Sequence, residues 1–162
     1  MKILKNKILA PYTTFGIGGP ADYFCEAKTK AEIIKAVEWA KERNLDYFIL
    51  GSGSNVLISD KGFQGLVIKI LGSKFQVLGS KIITEAGLLL AKLLQFSVNH
   101  SLSGLEFLTG VPGTVGGAVV GNAGTQKGAI AQAIEEVTVL GEDGLIYDLN
   151  NKECRFSLTA DF

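Results

Sequence analysis

"GSGSNVLISD", residues Gly51 to Asp60, places a glycine-rich turn between the apolar runs "YFIL" (Tyr47–Leu50) and "VLIS" (Val56–Ser59). A glycine turn after a strand can cradle a nucleotide phosphate, because no Cβ atoms keep its backbone N–H groups from the anion. Three architectures present such a turn, and each makes its own demand on sequence. A Walker A loop needs G-x-x-x-x-G-K-[ST], with lysine on the phosphates and a hydroxyl on magnesium. No Gly-Lys pair occurs in the chain. A Rossmann fingerprint needs G-x-G-x-x-G opening a helix whose N-terminus meets the pyrophosphate. Gly51 and Gly53 fit, but Val56 stands at the third glycine and "NVLIS" reads as extended. The remaining architecture is a strand-loop-strand nest, in which the N–H groups around Ser52, Gly53, Ser54 and Asn55 curl about an anion without lysine or metal. Taken alone, the same five residues suit a tight hairpin turn equally well.

The rest of the glycine distribution bears on that choice. The chain holds 20 glycines beside only 3 prolines, concentrated in "FGIGGP", "GSGSN" and the stretch from Gly104 to Gly128. Glycine kept inside ordered, apolar sequence marks close backbone approach or positive φ. Clusters at three places suggest one large ligand touched by several backbone segments. In "GLEFLTGVPGTVGGAVVGNAG" (Gly104–Gly124), Pro112-Gly113 marks a turn and Gly116-Gly117 would let the backbone lie flat against something planar. This surface offers N–H and C=O groups but few acids or bases, which suits a slot for a cofactor that carries the chemistry itself. A glycine-rich loop serving the fold alone is the competing reading of this stretch.

Bulk composition narrows the classes further. With 162 residues, 47% hydrophobic and 20% charged, the chain reads as one soluble domain or one domain of two lobes. Its 16 basic and 16 acidic side chains balance, so it lacks the basic excess of a nucleic-acid binder. No apolar run approaches the roughly 20 residues that span a bilayer, and no signal-peptide core is present. The expectation is a cytoplasmic protein with no membrane or nucleic-acid partner. Cys25 and Cys154 lie far apart without metal spacing and read as reduced, packed thiols. His100, the only histidine, falls where an imidazole caps the carbonyls of a helix end. No metal site is expected.

Along the chain, "ADYFCEA" (Ala21–Ala27) reads as a strand. Thr29 and Glu32 form a capping-box pattern ahead of a helix from Lys30 to Arg43, with Ile33, Ile34, Val37 and Ala40 on one face and Trp39 at its edge. "YFIL" reads as a short buried strand, and "LVIKI" (Leu66–Ile70) alternates as another. Lys74–Gly87 reads as a hairpin around Gly79-Ser80, and Leu88–Asn99 as a helix with Leu90, Leu93, Leu94 and Val98 on one face. Glu135–Leu149 reads as a second hairpin, turning at Glu142-Asp143-Gly144. The expected class is α+β in two lobes, residues 1–60 with the glycine loop and residues 61–162.

Three long segments carry a resemblance. "APYTTFGIGGPADYF", "ILGSGSNVLISDKGFQGLVIKI" and "SLSGLEFLTGVPGTVGGAVVGNAG" resemble, in order and at natural spacing, the opening, pyrophosphate-loop and flavin-cradling segments of the UDP-N-acetylenolpyruvoylglucosamine reductase (MurB) family. The resemblance covers nearly the whole chain. It implies a two-lobed PCMH-type FAD-binding domain holding FAD without a covalent link. By motif match, Gly51, Ser52, Gly53, Ser54 and Asn55 would hold the pyrophosphate. Gly110, Val111, Pro112, Gly113, Thr114, Gly116, Gly117 and Ala118, with Asn122, Ala123 and Gly124, would line the rest of the cofactor, including part of the isoalloxazine. A branched side chain at Gly53 would then obstruct the pyrophosphate while the fold survives. The family passes hydride from NADPH to FAD and on to the enolpyruvyl double bond of a nucleotide sugar, with a serine acid, an arginine and a glutamate assisting. The domains of the wider PCMH class also serve as flavin-carrying electron-transfer subunits.

Two departures qualify the resemblance. Where the family commonly reads like "FSYRxS", this chain reads "FSLTADF": Phe156 and Ser157 match, and Leu158 and Thr159 replace Tyr-Arg. Arg155 is offset by four positions from the family's arginine and does not take its role. The sequence runs to Phe162 without the family's substrate-binding domain, so no residue here is assigned as the serine acid or the glutamate. The expectation is a flavin-binding module that is catalytically incomplete on its own.

Overall fold

The computed structural model describes residues 1–157. Strand β1 (Ile3–Ile8) runs antiparallel to β2 (Pro20–Ala27), and helix α1 (Lys30–Lys41) follows. Thr29 caps α1 by accepting the N–H of Glu32, as the pattern predicts. The Glu32 carboxylate reaches back to the N–H of Lys28 at 2.7 Å, one residue outside the usual box. Asn44, at φ +51, ends the helix, and the Leu45 N–H returns to the Ala40 carbonyl at 3.0 Å.

Strands β3 (Tyr47–Leu50) and β4 (Phe63–Ile70) complete a sheet of order β1-β2-β4-β3, in which β2, β4 and β3 are parallel. This corrects two expectations. β4 lies in the middle of the first sheet, so the N-terminal unit runs through Ile70 and does not end at residue 60. β3 is the edge strand: of "YFIL" only Leu50 is buried, and Ile49 is 45% exposed.

The alternation in "LVIKI" reads out as two cores on the two faces of β4. Leu66, Ile68 and Ile70 pack with Cys25 and Ala27 beneath Ala36, Val37 and Ala40 of α1. Val67 faces Leu9, Ala21, Phe24 and Leu50, where Tyr12, Val56 and Ile58 close the layer. "NVLIS" is therefore no strand. It is the return limb of the β3–β4 connection, and it covers the second face of the sheet. Trp39 packs edge-on to Tyr23 at 5.1 Å, with the Arg43 guanidinium over its ring.

The second unit is built on its own core of Leu88, Leu90, Leu93, Leu108, Val115, Ala118 and Ile130. It comprises the hairpin β5 (Phe75–Leu78) and β6 (Lys81–Thr84), helix α2 (Leu90–Asn99), and the short helix α3 (Val115–Val120). The two-residue strands β7 (Gly124–Thr125) and β8 (Gly128–Ala129) follow, then the hairpin β9 (Glu136–Leu140) and β10 (Ile146–Asn150). Both expected hairpins form. In α2 the buried face is Leu90, Leu93 and Ser97, with Leu94 half-buried, and Val98 is 73% exposed. Helical spacing explains the difference: Ser97 continues the i, i+3, i+4, i+7 row, and its hydroxyl satisfies itself on the Leu94 carbonyl at 2.9 Å. His100 ends α2 as expected, its Nδ1 lying 2.8 Å from the Phe96 carbonyl. No helix among the described residues is long and apolar enough to cross a membrane.

Both cysteines are free, and Cys25 is buried between the sheet and α1. Burial pushes its thiol up from 9.0 to about 11. A raised folded-state value favours the neutral thiol, so this contribution to stability is complete below pH 9 and is lost as pH rises through about 11. The Cys25→Ala variant should therefore show a flatter fall in unfolding free energy across that alkaline window, measured by urea titration at a series of pH values. An unchanged slope would contradict the assignment.

Candidate functional site

The parallel pairing of β3 and β4 decides what Gly51–Asn55 is. Parallel strands cannot be joined by a tight hairpin, so the chain leaves β3, turns at the glycine loop and travels back along the sheet before β4 begins. The loop thus sits at the carboxyl end of a parallel strand, the edge at which open α/β sheets bind ligands. None of the backbone N–H groups of Ser52, Gly53, Ser54 and Asn55 donates to an acceptor among the described residues. Buried or half-buried N–H groups in a folded chain are almost always paired, and Gly53 is buried. A run of unpaired donors on consecutive residues is the arrangement that an anion completes.

The second unit brings its own turn to the same place. The Ser54 hydroxyl donates to the Pro112 carbonyl at 3.3 Å, and the Ser52 hydroxyl lies 3.4 Å from Ser54 Oγ. A Cβ on Gly51 would stand 2.6 Å from Thr114 Oγ1. Thr114 is 5% exposed and caps α3 through the N–H of Gly117. Around this junction lies a cleft of about 240 Å³ whose walls include Gly51, Ser52, Lys69, Leu89, Lys92 and Thr114. Gly110 has φ +81 and nothing within 4 Å of where its Cβ would stand, which leaves its backbone open to approach.

Of the residues singled out from sequence, Gly51–Asn55 and Pro112–Thr114 therefore come together. Gly110 stands open, and several of the others are held by the fold. A Cβ on Gly116 would stand 2.7 Å from that of Ala86, so this glycine lets α3 lie against the segment before α2. The expected flat backbone at Gly116-Gly117 is instead helical. Ala118 is 3% exposed in the second core, with Val111 and Ala123 packed against that core. At Gly124 a Cβ would meet the Gly128 carbonyl at 2.2 Å, so that glycine permits β7–β8 pairing. Asn122 has both ends of its amide engaged, donating to the Ser157 carbonyl at 2.8 Å and accepting from the Ala131 N–H at 3.3 Å.

Gly53 also needs correction. A Cβ there would stand 2.0 Å from the Tyr12 carbonyl, and its φ is +72. Glycine at 53 is thus required by the fold itself, and Gly53→Val disturbs structure before it reports on any ligand. Asn55 is exposed and its amide has no partner among the described residues, so it is the clean probe of this loop. Leu158 and Thr159 lie outside the described residues.

The sequence reading missed Lys69 and Lys92, which bring two ammonium groups to a cleft lined by no carboxylate. Lys69 was visible as the one charge inside "LVIKI". No group of three or more His, Cys, Asp or Glu that could hold a metal ion occurs among the described residues.

Comparison with known proteins places this geometry in a family. The family model described as FAD binding domain matches residues 21–150. The UDP-N-acetylenolpyruvoylglucosamine reductase of Clostridium novyi (strain NT) is 42% identical over 156 residues, covering 95% of this chain and 51% of that protein. The crystal structure of UDP-N-acetylenolpyruvylglucosamine reductase (MurB) from Thermus caldophilus superposes with a TM-score of 0.78 at 39% identity, over 94% of this chain and 53% of that one. A solvent-stable cholesterol oxidase shares the fold alone, with a TM-score of 0.68 at 16% identity over 91% of this chain and 32% of that one. The chain spans about half the length of the curated relatives it matches. Its α+β architecture is that of the two-lobed PCMH-type flavin domain. With the match running from Ala21 to Asn150, through the sheet, the glycine loop and the cleft, the chain belongs to the FAD binding domain family.

Proposed function

We propose that these residues form the FAD-holding part of a MurB-type reductase, which reduces UDP-N-acetylenolpyruvoylglucosamine with NADPH in cytoplasmic peptidoglycan-precursor synthesis. The observation that carries the reading is the unpaired N–H run from Ser52 to Asn55 at the mouth of a cleft, in a chain whose relatives bear that name. The residues fit the cofactor. Ser52–Asn55 offer backbone donors and the Asn55 amide to a diphosphate, and the Ser54–Pro112 hydrogen bond fixes that loop to the second unit. Thr114 lines the cleft opposite Gly51, and Gly113 lies against Ser54. When bound, the flavin supplies the hydride chemistry, taking hydride from the nicotinamide nucleotide and delivering it to the substrate double bond. The protein's share here is to bind and orient. The cleft is lined by no carboxylate, histidine or thiol, and no residue here is assigned as the family's serine acid.

Three outcomes follow from this reading. The purified chain should bind FAD without a covalent link, and acid precipitation should release all yellow colour to the supernatant; colour kept on the precipitate would contradict it. Asn55→Leu should weaken FAD binding by about 10- to 150-fold, the equivalent of one hydrogen bond to a charged acceptor at roughly 1.5–3 kcal/mol. Calorimetry giving unaltered affinity in a folded variant would remove Asn55 from the site. Finally, the FAD-loaded 162-residue chain, reduced with dithionite under nitrogen, should not be reoxidised by UDP-N-acetylenolpyruvoylglucosamine at a useful rate. General acid catalysis alone contributes about 10²–10⁴-fold, and none of these residues is assigned as the proton donor the family uses. Rapid substrate-dependent return of flavin absorbance would show that the catalytic groups lie within these residues.

A further inference from the structure

Lys69 is out of keeping with its surroundings. It sits near the carboxyl end of β4, an inner strand of the sheet, whose neighbouring residues Leu66, Val67, Ile68 and Ile70 are all buried. Burial holds its ammonium below the usual lysine range, a cost to the charged form that something must offset. Glu26, directly opposite in the β2–β4 register, offsets part of that cost through its charge without forming an ion pair with Lys69. Instead the Lys69 Nζ donates to the backbone carbonyl of Gly51, the first residue of the glycine loop. Lys69 lines the cleft together with Ser52 and Thr114.

The position of that hydrogen bond gives it a consequence. The Gly51 carbonyl and the Ser52 N–H belong to one planar trans peptide unit and point in opposite directions. Holding the carbonyl toward β4 turns the Ser52 N–H away from β4, as the first donor of the unpaired run Ser52–Asn55. Without the ammonium, the carbonyl loses its partner and the glycine peptide is free to flip, which would aim an oxygen where the anion needs a donor. The positive charge of Lys69 also stands beside the site, offset in part by Glu26 on the adjacent strand, and no carboxylate lines the cleft.

We infer that Lys69 is a positioning residue for the diphosphate of the bound dinucleotide: by anchoring the Gly51 carbonyl it presets the Ser52–Asn55 donors and adds a neighbouring positive charge. The inference rests on the flavin-binding reading above. It assigns a role to a side chain outside the glycine motifs, and the role acts through the loop backbone.

The test compares Lys69→Met, close in length but uncharged and unable to donate, with Lys69→Arg, which can still reach a carbonyl. Calorimetry measures FAD and, separately, ADP, which carries the diphosphate without the flavin. Thermal unfolding of the flavin-free chains is recorded alongside. Lys69→Met should lose about tenfold or more in affinity for both ligands, with the flavin-free melting temperature unchanged, and Lys69→Arg should recover most of the loss. Unaltered FAD affinity in Lys69→Met, loss of FAD but not ADP binding, or no recovery in Lys69→Arg would each overturn the inference. A Lys69→Met chain that fails to fold, or melts well below the unaltered one, would also overturn it by making Lys69 a support of the fold. Absence of FAD binding by the unaltered chain would instead overturn the flavin reading, and this inference with it.

Discussion

The parallel pairing of β3 with β4 is the constraint on which the rest of the structure depends. Two antiparallel strands could have been closed by the five residues Gly51–Asn55 alone. A parallel pair obliges the chain to return to the other end of the sheet, and the connection does two jobs on the way. Its first limb leaves the glycine loop at the carboxyl edge with donors unspent on secondary structure. Its second limb lays Val56 and Ile58 over the face of the sheet that α1 does not cover, sealing Leu9, Phe24 and Val67. Site and core are therefore consequences of one topological choice, and the loop cannot be loosened without uncovering the sheet.

Glycine in this chain has two separate uses that composition alone merges. At Gly53, Gly116 and Gly124 the missing Cβ admits a neighbouring part of the same chain, namely the Tyr12 carbonyl, Ala86 and the Gly128 carbonyl. At Gly110 the backbone is left-handed and open, with space and no neighbour. Only the second kind leaves the space of the missing side chain to a ligand. The first kind explains why Gly116 and Gly124 serve to pack the second unit.

Much of the fold was legible because its signals are local. The Thr29–Glu32 cap, the Gly79-Ser80 and Asp143-Gly144 turns and the position of His100 all follow from neighbours within a few residues. What was not legible depends on long-range pairing. Nothing in "LVIKI" says that it inserts between β2 and β3, which joins residues on both sides of position 60 in one sheet and leaves "YFIL" at the sheet edge. Ser97 and Val98 exchange roles because helical phase, not hydrophobicity, decides which residue faces the core. For the site, the glycine loop was readable from its pattern, whereas Lys69 was not: its importance lies in a carbonyl 18 positions away in sequence that only the folded sheet brings to it.

The central claim is that the unpaired N–H groups of Ser52, Gly53, Ser54 and Asn55 form the anchor for a dinucleotide diphosphate. Amide-resolved NMR on the flavin-free chain, titrated with ADP and followed by hydrogen exchange, tests it most directly. The account predicts that the amide signals of these residues shift together and gain protection from exchange, while those of the β9–β10 hairpin stay in place. Saturation with ADP that leaves the Ser52–Asn55 amides unshifted and freely exchanging would contradict it.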